Sequence, residues 1–441
     1  VKALHWQTVA VVTLILSAFE LGLMVRAPDL AYASISPGFI TTAPADSAGV
    51  DAFGRMRVGG STPALFDSTM EYGTYPLLWE SQLTAGGTAT WLANQSAVRL
   101  RVATSGDKVV RQSHQYIRYQ PGKSHYIVMT GVLGALTPNT RQRLGYYDTL
   151  NGVFFEQDGV NLKVVQRSNV TGSPVDTAIN QSNWNIDKFD GKGPSGVTLD
   201  TAKAQIFVID LQWLGVGRVR FGFDVKGQLF YCHQILNANA NAGVYMSTGS
   251  LPIRYSNEAT GAIGGNVDML QLCSSVISEG GFDLTGGPGF TNTANNGITT
   301  ISVTTRRPIL SIRPKTTFNG LVNRGTILPQ SYDVEIGSGS ALVELVYQGT
   351  LTGAAFASVG ADSITEADHS ATAISGGLVL DSFYLAGGGA TSRISSVQQI
   401  FSKIVLALDI AGSTPDNLSV VVTSFTGSVD ATGVLGWKEL Y

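Results

Sequence analysis

GYYDTLNGVFFEQDGVNLKVVQRSNV (Gly145–Val170), WNIDKFDGKGPSGVTLD (Trp184–Asp200) and QIFVIDLQWLGVGRVRFGFDVKG (Gln205–Gly227) form a series of short apolar runs separated by sharp turns. The runs are four to eight residues long and end in Asn-Gly, Asp-Gly or Lys-Gly, the residue pairs that supply the positive φ angles of tight hairpins. Aromatic and β-branched residues fill them, as a pleated, half-buried surface favours. The segment therefore predicts antiparallel strands packed as a sandwich.

The same pattern extends in both directions. Upstream, TATWLANQSAVRLRVAT, VVRQSHQYIRYQ and SHYIVMTGVLGAL alternate apolar and polar positions, as strands with one buried face do. Downstream, strands are expected to about Tyr255, with Asn237–Gly243 (NANANAG) as a flexible tip, followed by MLQLCSSVISEGGF. After a stretch rich in Gly, Asn and Thr, alternation resumes in ILSIRP, ALVELVYQG, GLVLDSFYL, KIVLALDIAG and LSVVVTSFTG. Ser395–Ile404 reads as a helix or loop, and GWKELY as a terminal strand. The fold class expected is all-β: an antiparallel jelly-roll-like sandwich followed by a second, smaller β-sandwich. The boundaries read from composition are an apolar segment at 1–33, a linker at 34–50, a large sandwich at 51–283, a linker at 284–298 and a C-terminal sandwich at 299–441.

Composition narrows the function classes. Charged residues make up 14% of the 441 residues and glycine occurs 51 times, so Gly-rich turns replace the usual Lys/Glu surface. A net charge of −3 predicts no general attraction to nucleic acid. Eleven acids follow Ile327 against Arg393, Lys403 and Lys438, while Arg306, Arg307, Arg313, Lys315 and Arg324 crowd just upstream. That strip reads as solvated surface or as an interface between copies. The N-terminal run Val9–Phe19, with Lys2 before it and Ala31-Tyr32-Ala33 after it, has the layout of a secretory signal cleaved after Ala33. The alternatives are a membrane anchor and an arm retained against a neighbouring subunit.

No catalytic, cofactor or metal set emerges, and the chain is expected not to be an enzyme. Cys232 and Cys273 lack zinc-binding spacing and are expected as buried thiols, with a disulfide left open. Pro121-Gly122-Lys123-Ser124 ends like a phosphate loop, but Ile117 stands where the pattern needs glycine. Asn185, Asp187, Asp190 and Asp200 gather oxygen ligands that would suit calcium, although Asp, Asn and Gly are also ordinary turn residues. His114 and His125 flank the Pro121 turn, where with Tyr116, Arg118, Tyr119 and Tyr126 they suggest a cross-strand aromatic ladder. The carboxylate pairs Asp333/Glu335 and Glu156/Asp158 have the i,i+2 spacing that places two acids on one strand face, as glycoside hydrolysis would require. Asp333/Glu335 lies in the polar segment SYDVEIGSGS without aromatic sugar platforms, and Asp158 sits in an Asp-Gly turn. Tyr146, Phe155, Trp184, Phe207, Trp213 and Phe223 are expected mainly in the core, and any that face solvent would offer stacking surfaces to sugars.

The ordered motifs DAFGRMRV, LFD, PGKS, GYYDTLNGVFFEQDG, VVQRS, QSNWNIDKFDGKGPSG, QIFVIDLQWLGVGRVRFGF and LPIRY resemble a family of virion structural proteins of tailed phages and large environmental viruses. The resemblance runs from about Asp51 to Tyr255; RRPILSIRP, NRG and GWKELY match less distinctively. It implies a capsid-associated particle component such as a decoration, fibre or tail-associated subunit, located in the virion. Such a protein would pack on copies of itself, most simply as a trimer, and on other virion proteins. Edge strands such as RVRFGFDV would then need a partner or a cover. The alternatives are a secreted or surface-displayed adhesin that binds a host-surface glycan, and a jelly-roll glycoside hydrolase or lyase.

Overall fold

The computed structural model describes residues 48–57, 62–283, 285–294, 301–387, 395–396 and 404–441. The expected signal, anchor or arm at 1–33, and most of the expected linker at 34–50, lie outside the described residues. Residues 1–61 and 62–441 are two separate units. Within the described part of the first, Asp51 is the organising residue. Its carboxylate accepts the backbone N–H groups of Phe53 (2.9 Å) and Arg55 (2.8 Å) and pairs with the Arg55 guanidinium at 2.6 Å. Residues 51–57 of this motif thus form a turn closed by a Val50–Met56 bridge.

Residues 62–441 are all-β and hold two sandwiches. The first has an eight-stranded and a seven-stranded sheet, both antiparallel. The eight-stranded sheet runs Gln228–Ile235, Val219–Val225, Gln205–Leu211, Ser124–Val132, Val267–Glu279, Ala97–Val102 and Thr88–Leu92, with Ala64–Ser68 also paired to Val267–Glu279. The seven-stranded sheet runs Val175–Asn180, Asn161–Ser168, Gly152–Asp158, Thr140–Tyr147, Ile253–Ala259, Lys108–Ser113 and Trp79–Thr84. Lys226 and Gly227 both take positive φ (57° and 79°) in the two-residue turn joining Val219–Val225 to Gln228–Ile235. That hairpin makes RVRFGFDV an interior strand, paired on both sides, rather than an edge. Asn237–Gly243 is likewise anchored: Asn237 is buried and donates to the Gly217 carbonyl at 2.8 Å.

Period-two alternation sends Phe155, Phe207, Phe221 and Phe223 into one cluster between the sheets. Phe155 lies 5.1 Å from Phe207, 5.4 Å from Phe221 and 5.1 Å from Phe223. Phe189 adds a further edge-on contact to Phe223 at 4.9 Å. Polar side chains stitch the two sheets through this core. Tyr255 Oη reaches the carbonyls of Thr130 (3.1 Å) and Cys273 (3.2 Å), at an irregularity in the opposite sheet. Asn257 Nδ2 donates to the carbonyls of Leu100 (3.0 Å) and Val267 (2.9 Å). Buried Arg111 donates to Gln271 Oε1 (2.6 Å), Ser81 Oγ (2.8 Å) and the Thr74 carbonyl (2.7 Å).

The second sandwich pairs a five-stranded sheet with a six-stranded one. In the first of these, Val429–Leu440 lies between Gly287–Asn292 and Thr326–Ile336, so the expected linker at 284–298 contributes a strand. Gly289 allows that pairing to close, because a Cβ there would lie 2.3 Å from Trp437 Nε1. The six-stranded sheet runs Ala357–Ser358, Thr365–Asp368, Arg307–Pro314, Leu418–Ser424, Ser340–Tyr347 and Leu378–Ala386. Of the stretch expected as helix or loop, Ser395–Ser396 pairs as a short strand with Ser331–Tyr332, and 397–403 lies outside the described residues.

Polar contacts join the sandwiches. Glu80 Oε2 accepts the Ile410 N–H (2.8 Å), and the Arg324 guanidinium covers the Tyr116 ring while donating, within its own sandwich, to the carbonyls of Asp409 (2.8 Å) and Ile410 (3.0 Å). Among the described residues no helix is long and apolar enough to cross a membrane.

Phe223→Ala should empty the centre of the aromatic cluster and lower unfolding stability by about 3–5 kcal/mol. The shift in urea midpoint measures it, and a near-neutral result would contradict this core.

Candidate functional site

The structure assigns most sequence-flagged polar groups to architecture. In the loop 184–200, whose oxygen groups would suit calcium, Asp187 is buried and accepts the Phe189 (2.8 Å) and Ser195 (2.7 Å) N–H groups. Asp190 and Asp200 accept N–H groups two residues ahead, those of Lys192 and Ala202. Asn185 pairs with the Gln234 backbone like an extra strand residue. These are turn-forming bonds, and no three His, Cys, Asp or Glu side chains among the described residues gather to hold a metal ion.

The carboxylate pairs follow two patterns. Glu156 and Asp158 share the outer face of the seven-stranded sheet, where each meets basic residues on adjacent strands. Arg143 lies 2.6 Å and Lys163 3.7 Å from Glu156, and Lys163 is 2.8 Å from Asp158. Burial raises the Asp158 carboxyl, but the Lys163 hydrogen bond and the neighbouring arginines outweigh it and leave the group below its ordinary range. Asp333 and Glu335 line a shallow hollow of about 310 Å³ with Asn292, Thr293 and Thr432, without an aromatic floor.

His114 and His125 do not face each other, and the aromatic ladder does not form. The pairing of Lys108–Ser113 stops before them, and 114–123 is irregular, bridged only at Ile117–Leu251. His114 Nε2 lies 3.1 Å from the Pro76 carbonyl. His125 is buried against Tyr119 and Tyr146, with ring centroids 5.3 and 5.8 Å away. Burial pushes its imidazole down to about 3. Lys123, in the loop that only partly resembles a phosphate binder, pairs with Asp283 at 2.8 Å. Cys232 is buried, whereas Cys273, expected to be buried, is exposed; the two are not joined.

The basic strip turns inward as well. Arg306 binds Glu344 (2.8 Å), Arg313 binds Glu366 (2.5 Å), and Lys315 holds the Gly360 carbonyl (3.0 Å). These contacts are within the chain, on side chains that stay half-buried.

Aromatics separate the two sandwiches. In the first, Trp184 is buried and Trp213 half-buried, its Nε1 bound to the Met246 carbonyl. In the second, Tyr384 and Phe425 are 76% and 55% exposed with rings 5.8 Å apart, and Phe290 and Tyr441 are 64% and 59% exposed. The latter two line a groove of about 830 Å³ between the edge strands Gly287–Asn292 and Ala357–Ser358. Its other walls include Ser358, Asp362 and His369. Sequence reading placed Phe290 in a linker, and the only cue was an aromatic inside a Gly-Pro-Gly stretch.

No protein-family model matches this sequence, and neither does any curated protein. Solved structures similar to the chain include a legume lectin-like domain from Entamoeba histolytica, at 10% identity and TM-score 0.31, covering 49% of this chain and 98% of that one. A β-1,3-glucanase from Mycobacterium marinum matches at 14% identity and TM-score 0.34, covering 49% of this chain and all (100%) of its own. Lectin I-B4 from Griffonia simplicifolia matches at 12% identity and TM-score 0.30, covering 48% and 99% respectively. Likeness at this level does not bear on what this chain binds or does.

The His125 shift carries a pH signature. An unfolded histidine binds its proton below about 6.5, whereas the buried ring resists protonation down to about 3. Its contribution is complete above pH 6.5 and is lost as pH falls from there toward 3, by at most about 1.4 kcal/mol per unit. His125→Gln should flatten the stability–pH profile in that window in urea titrations, and an unchanged profile would refute the assignment.

Proposed function

We propose that this chain is a non-catalytic β-sandwich protein that recognises carbohydrate. The supporting observation is the placement of aromatic rings: the second sandwich leaves two pairs largely in solvent, whereas the first buries most of its own and exposes Tyr72 and Trp91 singly. Exposed rings present flat apolar faces that match the C–H faces of sugar rings. The acids that would be needed for hydrolysis support a binding role. Glu156 and Asp158 are neutralised by basic neighbours, and Asp333 and Glu335 have no aromatic floor. The full chain on a glycan array should retain at least one class of oligosaccharide; an array without hits would remove this reading.

The second reading is a structural component of a virus particle. It is favoured by the ordered motifs between Asp51 and Tyr255, and the two readings are compatible, because surface proteins of particles meet host glycans. In this reading the chain assembles with itself, as a trimer, and with other virion proteins. Two sandwiches joined by the Glu80–Ile410 hydrogen bond and by Arg324 over the Tyr116 ring suit such assembly, since a fixed orientation limits the entropy lost on packing. Light scattering after size exclusion should find an oligomer, and a stable monomer at micromolar concentration would refute the assembly.

A further inference from the structure

Of the exposed aromatic pairs of the second sandwich, Phe290 and Tyr441 stand at a concavity whose volume of about 830 Å³ falls within the range of ligand clefts. We infer that this groove is the carbohydrate site and that it takes a neutral saccharide. The inference rests on the carbohydrate reading above.

Three observations carry it. The first is that the rings are held in place. Tyr441 Oη donates to the Asp362 carbonyl (2.9 Å), and its ring meets Phe318 edge-on at 5.5 Å, so one stacking surface is fixed before any ligand arrives. Phe290 is carried by a strand paired through Val429–Leu440 and is therefore positioned by the sheet.

The second observation is that the opposite wall is rigid although it is a loop of small residues. Buried Glu439 accepts the Ser363 hydroxyl (2.5 Å), the Ile364 N–H (2.9 Å) and the Thr365 hydroxyl (2.7 Å). Trp437 Nε1 also donates to it (2.9 Å). From outside, Lys315 holds the Gly360 carbonyl. A wall tied at both sides loses little entropy when a ligand binds.

The third observation is charge. The lining contains no lysine or arginine, while Asp362 is exposed and Glu439 lies beneath. His369, on the floor, is kept neutral by burial, which lowers its basicity. Lys315 lies behind the wall with its ammonium engaged by the Gly360 and Ser363 carbonyls, so a phosphate, sulfate or sialic acid in the groove would meet the Asp362 carboxylate with no lysine or arginine in the lining to offset it. A neutral sugar instead finds two rings for its C–H faces, and the Ser358 hydroxyl and the Asp362 carboxylate for its own hydroxyls. Asp362 can accept two such bonds, the charge-assisted kind that gives a sugar site its orientation.

The test titrates the full chain, by calorimetry, with a fixed panel of neutral trisaccharides (maltotriose, cellotriose, laminaritriose and N-acetylchitotriose) and with sialyllactose. At least one neutral member should bind and sialyllactose should not. Phe290→Ala, at an exposed position that leaves folding intact, should weaken that binding at least tenfold. Asp362→Asn should weaken it severalfold, and Tyr384→Ala should leave it unchanged. Binding lost in Tyr384→Ala but kept in Phe290→Ala would overturn the groove and leave the carbohydrate reading standing. Preference for sialyllactose would overturn the neutral assignment. No binding by the panel overturns the inference, and if the glycan array is also blank the wider reading falls with it. Capture of an extended peptide along Gly287–Asn292 in place of sugar would overturn it too.

Discussion

Tyr255 hydrogen-bonds across the first sandwich to the carbonyls of Thr130 and Cys273. With Asn257 and Arg111 it forms a set of buried polar links between two sheets that apolar packing alone would leave free to slide. Burial of aromatic surface supplies most of the drive to fold, but it is non-directional. A directional bond inside a dry core is different, because shifting the sheets would leave its donor unsatisfied at a cost of about 1–3 kcal/mol. Arg111 makes the constraint sharper. A guanidinium buried without a carboxylate must keep all three of its neutral acceptors, so strands from both sheets and the Thr74 loop are tied to one point. The arrangement of the aromatic cluster, and therefore of everything built on the sandwich, follows from that fixed stacking.

A second layer of restraint concerns the charged residues. This chain has few of them, and where the structure describes their partners they are largely internal to the fold. Acidic and basic residues cross-link the outer face of the seven-stranded sheet, carboxylates cap turns, and Glu80 of the first sandwich accepts a backbone N–H of the second. Groups engaged this way are poor candidates for acid–base chemistry, since their protonation state is already fixed by their neighbours. What is left for recognition is shape, exposed rings and a few uncharged hydroxyls, which is the chemistry of sugar contact.

Much of the architecture was legible in the residues. The alternation in QIFVIDL and RVRFGFDV marks strands with one buried face, and Lys-Gly marks the hairpin between two of them, because only a turn with two positive φ angles matches strand twist. The presence of two sandwiches followed from the Gly/Asn-rich interval after Leu284. The errors have physical causes. Gly287–Asn292 looked like linker because Gly289 serves close approach to Trp437, which sequence cannot reveal. RVRFGFDV looked like an edge because pairing partners are not local. His114 and His125 seemed matched across a hairpin, but Tyr146, bonded to the Ile117 carbonyl at 2.8 Å, instead holds 114–123 as irregular chain.

The sequence by itself determined the all-β class, the turn chemistry and the aromatic core, because each depends on residues near one another along the chain. Tertiary structure decided which carboxylates meet a cation, which strands are interior, and which rings remain in solvent. Those outcomes depend on contacts between residues far apart in sequence: Glu439 reaches Ser363, and Phe290 and Tyr441 come to one groove only because the final strand lies beside Gly287–Asn292.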